Sequence, residues 1–233
     1  MSEALDKVRG VRELPLFPLP VVLFPGVPMP FHIFEPRYLQ MLADIHSSGN
    51  MFGLSYFDPN ASERSAPLVG HTGCVAEITE SERLPDGRSN IMTLGLVRYR
   101  VEAYVERGDP YLVGEVSFFE DDAEDADLLA LRAKEVSEMF MRIAQAIRTL
   151  NDERASLPQL PDTEPERLSF LIAAAMEVDP ELKLELLEVR STSARLERLN
   201  DLLHRAVKDY EERAHMYHLA KGNGHGGKKI NFE

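Results

Sequence analysis

Two hydrophobic periods divide the chain. Up to about residue 118 the apolar positions fall in short runs separated by turn residues, and from residue 126 onward they recur every three or four residues. Phe52–Phe57 (FGLSYF) predicts a short strand. After Gly73 the run CVAEITES alternates, with Cys74, Ala76 and Ile78 on one face and Glu77 and Thr79 on the other. Pro85-Asp86-Gly87 is a turn signal, because proline presets φ and glycine accepts a positive one. The run Ile91–Val101 (IMTLGLVRYRV) follows, so a hairpin is expected, and Gly95 within it predicts a bulge or sharp bend. Tyr111–Phe118 is a further strand. Short strands at this spacing predict a small closed or nearly closed β structure.

In the second region Leu129, Ala133, Val136, Phe140, Ile143, Ile147 and Leu150 form one face of a helix. Thr163-Glu164-Pro165-Glu166 reads as a capping box opening a second helix, which bears Leu168, Leu171, Ile172 and Ala175. Asp179-Pro180 is a further start signal, with Pro180 at the first helical position. A break at Ser191–Ser193 starts the last helix, where Leu196, Leu199, Leu203, Ala206, Tyr210 and Tyr217 follow heptad spacing, with Arg213 interrupting. The acidic run Glu120–Asp127 (EDDAEDAD) between the regions is expected to be a solvated linker, or else an acidic site for a basic partner.

Seven of the fifteen prolines lie between Pro15 and Pro36, in LPLFPLPVVLFPGVPMPFHIFEPRYLQML (Leu14–Leu42). Each removes a backbone donor, so the segment is expected to be a bending edge strand and not a central one. Phe24-Pro25-Gly26 predicts a turn and Pro28–Ile33 a resumed strand. Pro36 predicts the start of a helix whose Tyr38, Leu42 and Ile45 share a face, with Glu35 near its positive end.

Composition narrows the function classes. The 233 residues include one cysteine, so no internal disulfide and no thiolate metal cluster can form. No apolar run approaches the ~18 residues of a membrane span, and the first residues do not read as a signal peptide, so a cytoplasmic, soluble protein is expected. The net charge is −13, and both regions contribute: residues 1–118 carry 10 basic and 15 acidic side chains, and residues 119–233 carry 16 and 24. A phosphate backbone is repelled by such a field.

The proline-rich run closely resembles the start of the Lon-protease N-terminal domain, and in particular the stand-alone proteins that carry it. The likeness continues through Val69-Gly70, Gly73-Cys74-Val75-Ala76-Glu77-Ile78, Leu84-Pro85-Asp86-Gly87-Arg88, Leu94–Arg100 and Pro110-Tyr111-Leu112-Val113. It extends to Leu168–Ala175, Leu184–Glu188 and Arg195–Leu199. The resemblance implies an α+β fold: a PUA-like β pseudo-barrel followed by a small helical bundle ending in a long helix. The expected division is a β-rich subdomain over 1–122, a helical subdomain over 123–220 and a disordered tail over 221–233. In full-length Lon proteases this region helps capture unfolded or tagged substrates and contributes to assembly, with ATPase and serine–lysine protease domains following. No GxxxxGK[ST] phosphate loop is present here. The expectation is a non-enzymatic protein-binding module with no cofactor and no catalytic residues.

Candidate sites are weighed on the residues themselves. His71 and Cys74 suggest a base and a nucleophile, but three residues apart on a strand they point to opposite faces, and a core thiol is the readier reading. Glu211, His215 and His218 share a helix side, with His225 further on; a solvated helix end is expected there, and no metal site. Arg98 and Arg100, near Arg88, present a basic strand face, which in a PUA-like fold raises an RNA-binding alternative. Phe24, Phe31, Phe34 and Tyr38 are expected to be mostly core, since aromatics supply much of a small domain's burial, and are also the candidates for a peptide-binding groove, with Arg37 either a polar contact at its edge or the partner of a carboxylate. Leu196, Leu199, Leu203 and Tyr210 are candidates for assembly. The partners implied are unfolded or tagged polypeptide segments, with a protease or other protein as a docking partner; no membrane is expected. The structural alternative is an adaptor that docks or forms a homo-oligomer through its C-terminal helices.

Overall fold

The computed structural model describes residues 2–46, 49–58, 66–151 and 160–223. The elements run α1 (Glu3–Lys7), β1 (Glu13–Leu19), β2 (Pro28–Ile33), α2 (Pro36–Ile45), β3 (Met51–Tyr56), β4 (Thr72–Arg83), β5 (Ser89–Tyr104), β6 (Leu112–Phe119), α3 (Ala126–Leu150), α4 (Pro165–Ala175), α5 (Pro180–Glu188) and α6 (Thr192–Asn223). By backbone proximity the chain forms two units, one of Met1–Ala123 with Glu166–Thr192, the other of Glu124–Pro165 with Ser193–Glu233. Helices α4 and α5 therefore group with the sheet, whereas their period alone had grouped them with the other helices. Among the described residues no helix is long and apolar enough to cross a membrane.

In the first unit the strands are ordered β2-β5-β4-β3-β1-β6, and β5 also pairs with β6. That pairing closes β1, β3, β4, β5 and β6 into a ring and leaves β2 attached to β5 alone, so the unit is an α+β pseudo-barrel. Its interior holds Leu14, Leu16, Val75, Val97, Tyr99, Val101 and Val116, with Val8, just after α1, in the same cluster. The buried Tyr99 hydroxyl lies 2.7 Å from Ser55 Oγ, which gives this polar tip a partner inside an apolar core. Phe17, Phe52, Leu54, Cys74 and Ala76 form a second core with Tyr38, Met41 and Ile45 of α2.

Strand β1 corrects one expectation. Despite Pro15 and Pro18 it is not an edge strand, for it has neighbours on both sides. Its first half pairs antiparallel with β6 (Glu13–Leu16 against Glu115–Leu112), and its second half pairs parallel with β3 (Leu16–Leu19 against Gly53–Tyr56). The two ladders overlap only at Leu16. Pro15 is paired only with β6 and Pro18 only with β3, so the missing N–H of each faces the side that carries no partner there. The edge expectation holds for β2, which pairs only with β5.

The turn before β2 is made by Phe24-Pro25-Gly26. Gly26 has φ of 74°, a left-handed value, and Val27 N–H donates to Phe24 O at 3.2 Å. Gly26 and Val27 also bond Gly95 on β5 through both of its backbone groups. A Cβ on Gly95 would lie 2.0 Å from Phe24 O, so only glycine admits this approach. The ladder between β4 and β5 shifts register beside it, between Cys74 and Ala76, which is the bulge that Gly95 predicted.

Helix α4 begins at Pro165, one residue later than a Thr163 cap requires. Helix α5 opens at Pro180 after Asp179, as read from the sequence. In the second unit α3 buries Ala133, Val136, Met139, Ile143 and Ala146. Arg132 reaches Ser193 O and Glu197, and Arg142 reaches Glu211, so α3 and α6 run side by side in the same direction. Residues 221–223 continue α6, and 224–233, where the disordered tail was expected, lie outside the described residues.

Candidate peptide-binding face

Beyond the closed ring, β2, the first half of β5 and the second half of β4 form a three-stranded wing. Its tip is a tight turn: Leu84 N–H donates to Arg88 O at 2.8 Å and Gly87 N–H to Leu84 O at 3.0 Å. Registers place Pro30 opposite Met92 and Met92 opposite Glu80. The next row is His32, Asn90 and Glu82. Residues directly opposite one another share a face, so these six side chains stand on one side of the wing. An open groove of about 570 Å³ runs there, bordered by Pro30, His32, Glu80, Glu82, Asn90 and Met92. Phe34, 62% exposed, follows β2 with its ring 6.3 Å from that of His32.

The groove's charge is one-sided. Among the described residues neither Glu80 nor Glu82 has an ion pair or hydrogen bond from its side chain. Arg88, beyond the turn, is held by Asp86. Asp86 is drawn below the usual carboxylate range by its hydrogen bonds with Arg88. Arg88 Nη1 also lies 3.2 Å from His32 Nε2. Because arginine only donates, His32 Nε2 accepts, and Nδ1–H then donates to Asn90 Oδ1 at 2.7 Å.

The free edge of β2 offers little backbone. Donors alternate sides along a strand, and Pro28 and Pro30 have none. Pairing with β5 must use Met29, Phe31 and Ile33, which leaves His32 as the outward donor. The opposite face of the wing borders a second groove of about 760 Å³, lined by Leu39, Leu42 and His46 near α2 with Ser81, Arg83 and Ser89 from the hairpin.

The five residues singled out for peptide binding fare differently. Phe24 is buried, 5.9 Å from Phe170. Tyr38 is buried 4.1 Å from Phe17, and burial pushes its hydroxyl up. Phe31 is half-buried, 5.9 Å from Phe17. Arg37 is exposed and pairs with Glu35 at 2.8 Å, which is the carboxylate alternative. Phe34 alone of the four aromatics is open to solvent. Of the assembly candidates Leu196, Leu199 and Leu203 are buried and Tyr210 is half-buried. The sequence did not single out Glu80, Glu82, Asn90 and Met92 as a groove because they flank a turn; Asn90 and Met92 alternate with the buried Ser89, Ile91 and Thr93, but β4 is exposed throughout Thr79–Arg83 and offers no such signal.

The remaining candidate chemistry resolves into structure. Cys74 is fully buried and its thiol is pushed up to about 12 by that burial, far from a nucleophile's range. Arg98 is 1% exposed. It donates to Leu187 O at 3.0 Å, Val189 O at 2.7 Å and the Asp121 carboxylate, and lies over the rings of Phe119 and Phe170. The basic strand face is therefore corrected: Arg98 is inside and Arg88 is paired. The acidic junction is corrected too, since its carboxylates are not merely solvated. Asp121 also takes Thr192 Oγ1, Asp122 pairs with Arg190, Glu124 holds Ser193, and Asp125 caps α3 through Leu128 N–H. Glu211 is engaged by Arg142 at 3.0 Å, and His215 is exposed. The side chains of His218 and His225 lie outside the described residues. Among the described residues no three metal-ligating side chains cluster.

The comparisons with known proteins agree with this fold. The model of the ATP-dependent protease La (LON) substrate-binding domain matches residues 13–205. A Lon protease of Brevibacillus choshinensis is 25% identical over 197 residues, covering 84% of this chain and 25% of that protein. A Lon protease of Roseiflexus castenholzii is 28% identical over 194 residues, covering 82% and 24%. The chain thus spans about a quarter of the length of these curated relatives. A Lon N-terminal domain protein from Xanthomonas campestris has a solved structure with TM-score 0.58 and 26% identity, covering 81% of this chain and 97% of that one. The N-terminal domain of the Mycobacterium avium complex Lon protease shares the fold at TM-score 0.60 and 19% identity, covering 83% and 98%.

Proposed function

The chain belongs to the LON substrate-binding domain family, and from that premise we propose that it is a non-catalytic module which grips exposed apolar segments of unfolded or tagged polypeptides. The domain matched is the substrate-binding part of the Lon relatives and not their ATPase or protease part. The observation that carries the reading is the open groove on the outer face of the wing, where Pro30 and Met92 offer apolar surface beside unpaired carboxylates, with the exposed Phe34 next to its His32. Burying apolar surface there contributes about 25 cal/mol per Å² before ordering costs are subtracted. The donor-poor edge of β2 disfavours capture by strand addition, so side-chain contacts must hold the client. The buried, inert Cys74 supports the non-catalytic reading.

The test is binding of a permanently unfolded model protein against its native form. Retention of the unfolded form alone supports the proposal, and indifference to both overturns it. ATPase and peptidase assays on the same sample check the absence of catalysis. The second reading is an adaptor that assembles through α6. Its candidate residues Leu196, Leu199 and Leu203 are buried, so self-association through them requires that seam to open. Light scattering over a concentration series separates the two.

A further inference from the structure

We propose that the outer face of the wing selects its clients by charge, taking extended segments in which apolar residues are flanked by lysine or arginine. This rests on the binding function proposed above and names the class of segment bound.

The groove has an apolar side and an acidic side. Pro30 and Met92 lie along β2 and β5 in one cross-strand row with Glu80 of β4, and Glu82 follows in the next row with Asn90 and His32. Both carboxylates are exposed and have no ion pair among the described residues. They stand one strand repeat apart, about 7 Å, so two basic side chains of one client can meet them together. Their negative field is not offset locally: Arg88 is taken by Asp86, His32 accepts from Arg88, and Arg83 stands on the opposite face of the hairpin, at the second groove. The chain's net charge of −13 adds a long-range pull of the same sign. A segment with an apolar anchor over Met92 and a lysine toward Glu80 or Glu82 matches both sides of the groove. An acidic segment with the same apolar residues meets like charge and is rejected.

The experiment uses the full chain and three fluorescein-labelled 12-residue peptides of identical leucine and phenylalanine content, flanked by lysine, serine or glutamate. Anisotropy titrations at low salt are expected to rank lysine over serine over glutamate. The lysine–serine gap should be about three- to tenfold, the range that two exposed ion pairs supply. Added salt at 0.5 M should shrink it. The E80Q/E82Q variant should close the gap, whereas R83Q should leave the gap as it is. Circular dichroism confirms folding, which these exposed positions do not threaten. Equal affinity for the lysine and serine peptides overturns the proposal, as does a gap that survives E80Q/E82Q. In either case binding of the serine peptide leaves the general binding function standing. Failure of every peptide and of the unfolded model protein removes both.

Discussion

Strand β5 lives in two environments, and the contrast separates what the molecule needs for folding from what it offers to a partner. From Arg98 to Tyr104 it closes the ring against β4 and β6, and Arg98, Tyr99 and Val101 are buried. From Ser89 to Leu94 it is the middle strand of the wing, and its side chains divide between a buried face with Ile91 and an open one with Asn90 and Met92. Gly95 stands at the change, where the turn of Phe24 to Gly26 crosses it. The buried half of the strand has Arg98 and Tyr99 matched internally. The wing half lies beside two carboxylates of β4, Glu80 and Glu82, that have no partner among the described residues, and along an open groove. A folded chain has no structural need for those carboxylates, and this makes the wing the better candidate for recognition.

Substitutions should expose the contrast in order of size. Gly95→Val is expected to prevent folding or to cost more than about 4 kcal/mol, since the new Cβ would meet Phe24 O at 2.0 Å; thermal unfolding measures it, and a near-native midpoint would remove the crossing from the account. Arg98→Ala should cost about 3–5 kcal/mol, because Asp121 is left buried without its cation. A loss below 1 kcal/mol by urea titration would show that the pair is not structural. His71 supplies a smaller effect with a definite sign. Its ring is largely buried, Nε2 has no hydrogen-bond partner among the described residues, and desolvation lowers its pKa from 6.5. The unfolded chain therefore takes up a proton that the folded chain resists, so stability should fall as pH drops below about 6.5. His71→Gln should flatten that part of the profile relative to the parent, and an unchanged slope would refute the assignment. Smallest of all, E80Q/E82Q should alter unfolding by less than about 0.5 kcal/mol, the mark of a face that stability does not need.

Much of this was legible in the sequence, for physical reasons that can be named. The hairpin followed from Pro85-Asp86-Gly87 and the alternation on either side. The bulge followed from Gly95, and the helix α2 from Pro36. The central position of β1 was hidden because a proline forbids a donor on one side only, and nothing local reveals that the two ladders are staggered about Leu16. Phe24 and Tyr38 were legible as core aromatics, and both are buried, but the residues that cover them, Phe170 for the first and Phe17 for the second, are distant in sequence and were not legible. Arg98 looked like a surface cation for the same reason: its carbonyl and carboxylate partners lie between residues 121 and 189. Local pattern sets the elements, and the long-range contacts decide which polar groups remain free.

The most direct test of the wing as the gripping surface is nitrogen-15 NMR of the intact chain titrated with a permanently unfolded polypeptide. The account predicts perturbed amides in two stretches, Met29–Phe34 without its proline and Thr79–Met92, with the ring residues Arg98–Tyr104 unmoved. Perturbation centred on α6, or an unchanged spectrum at saturating polypeptide, would contradict it.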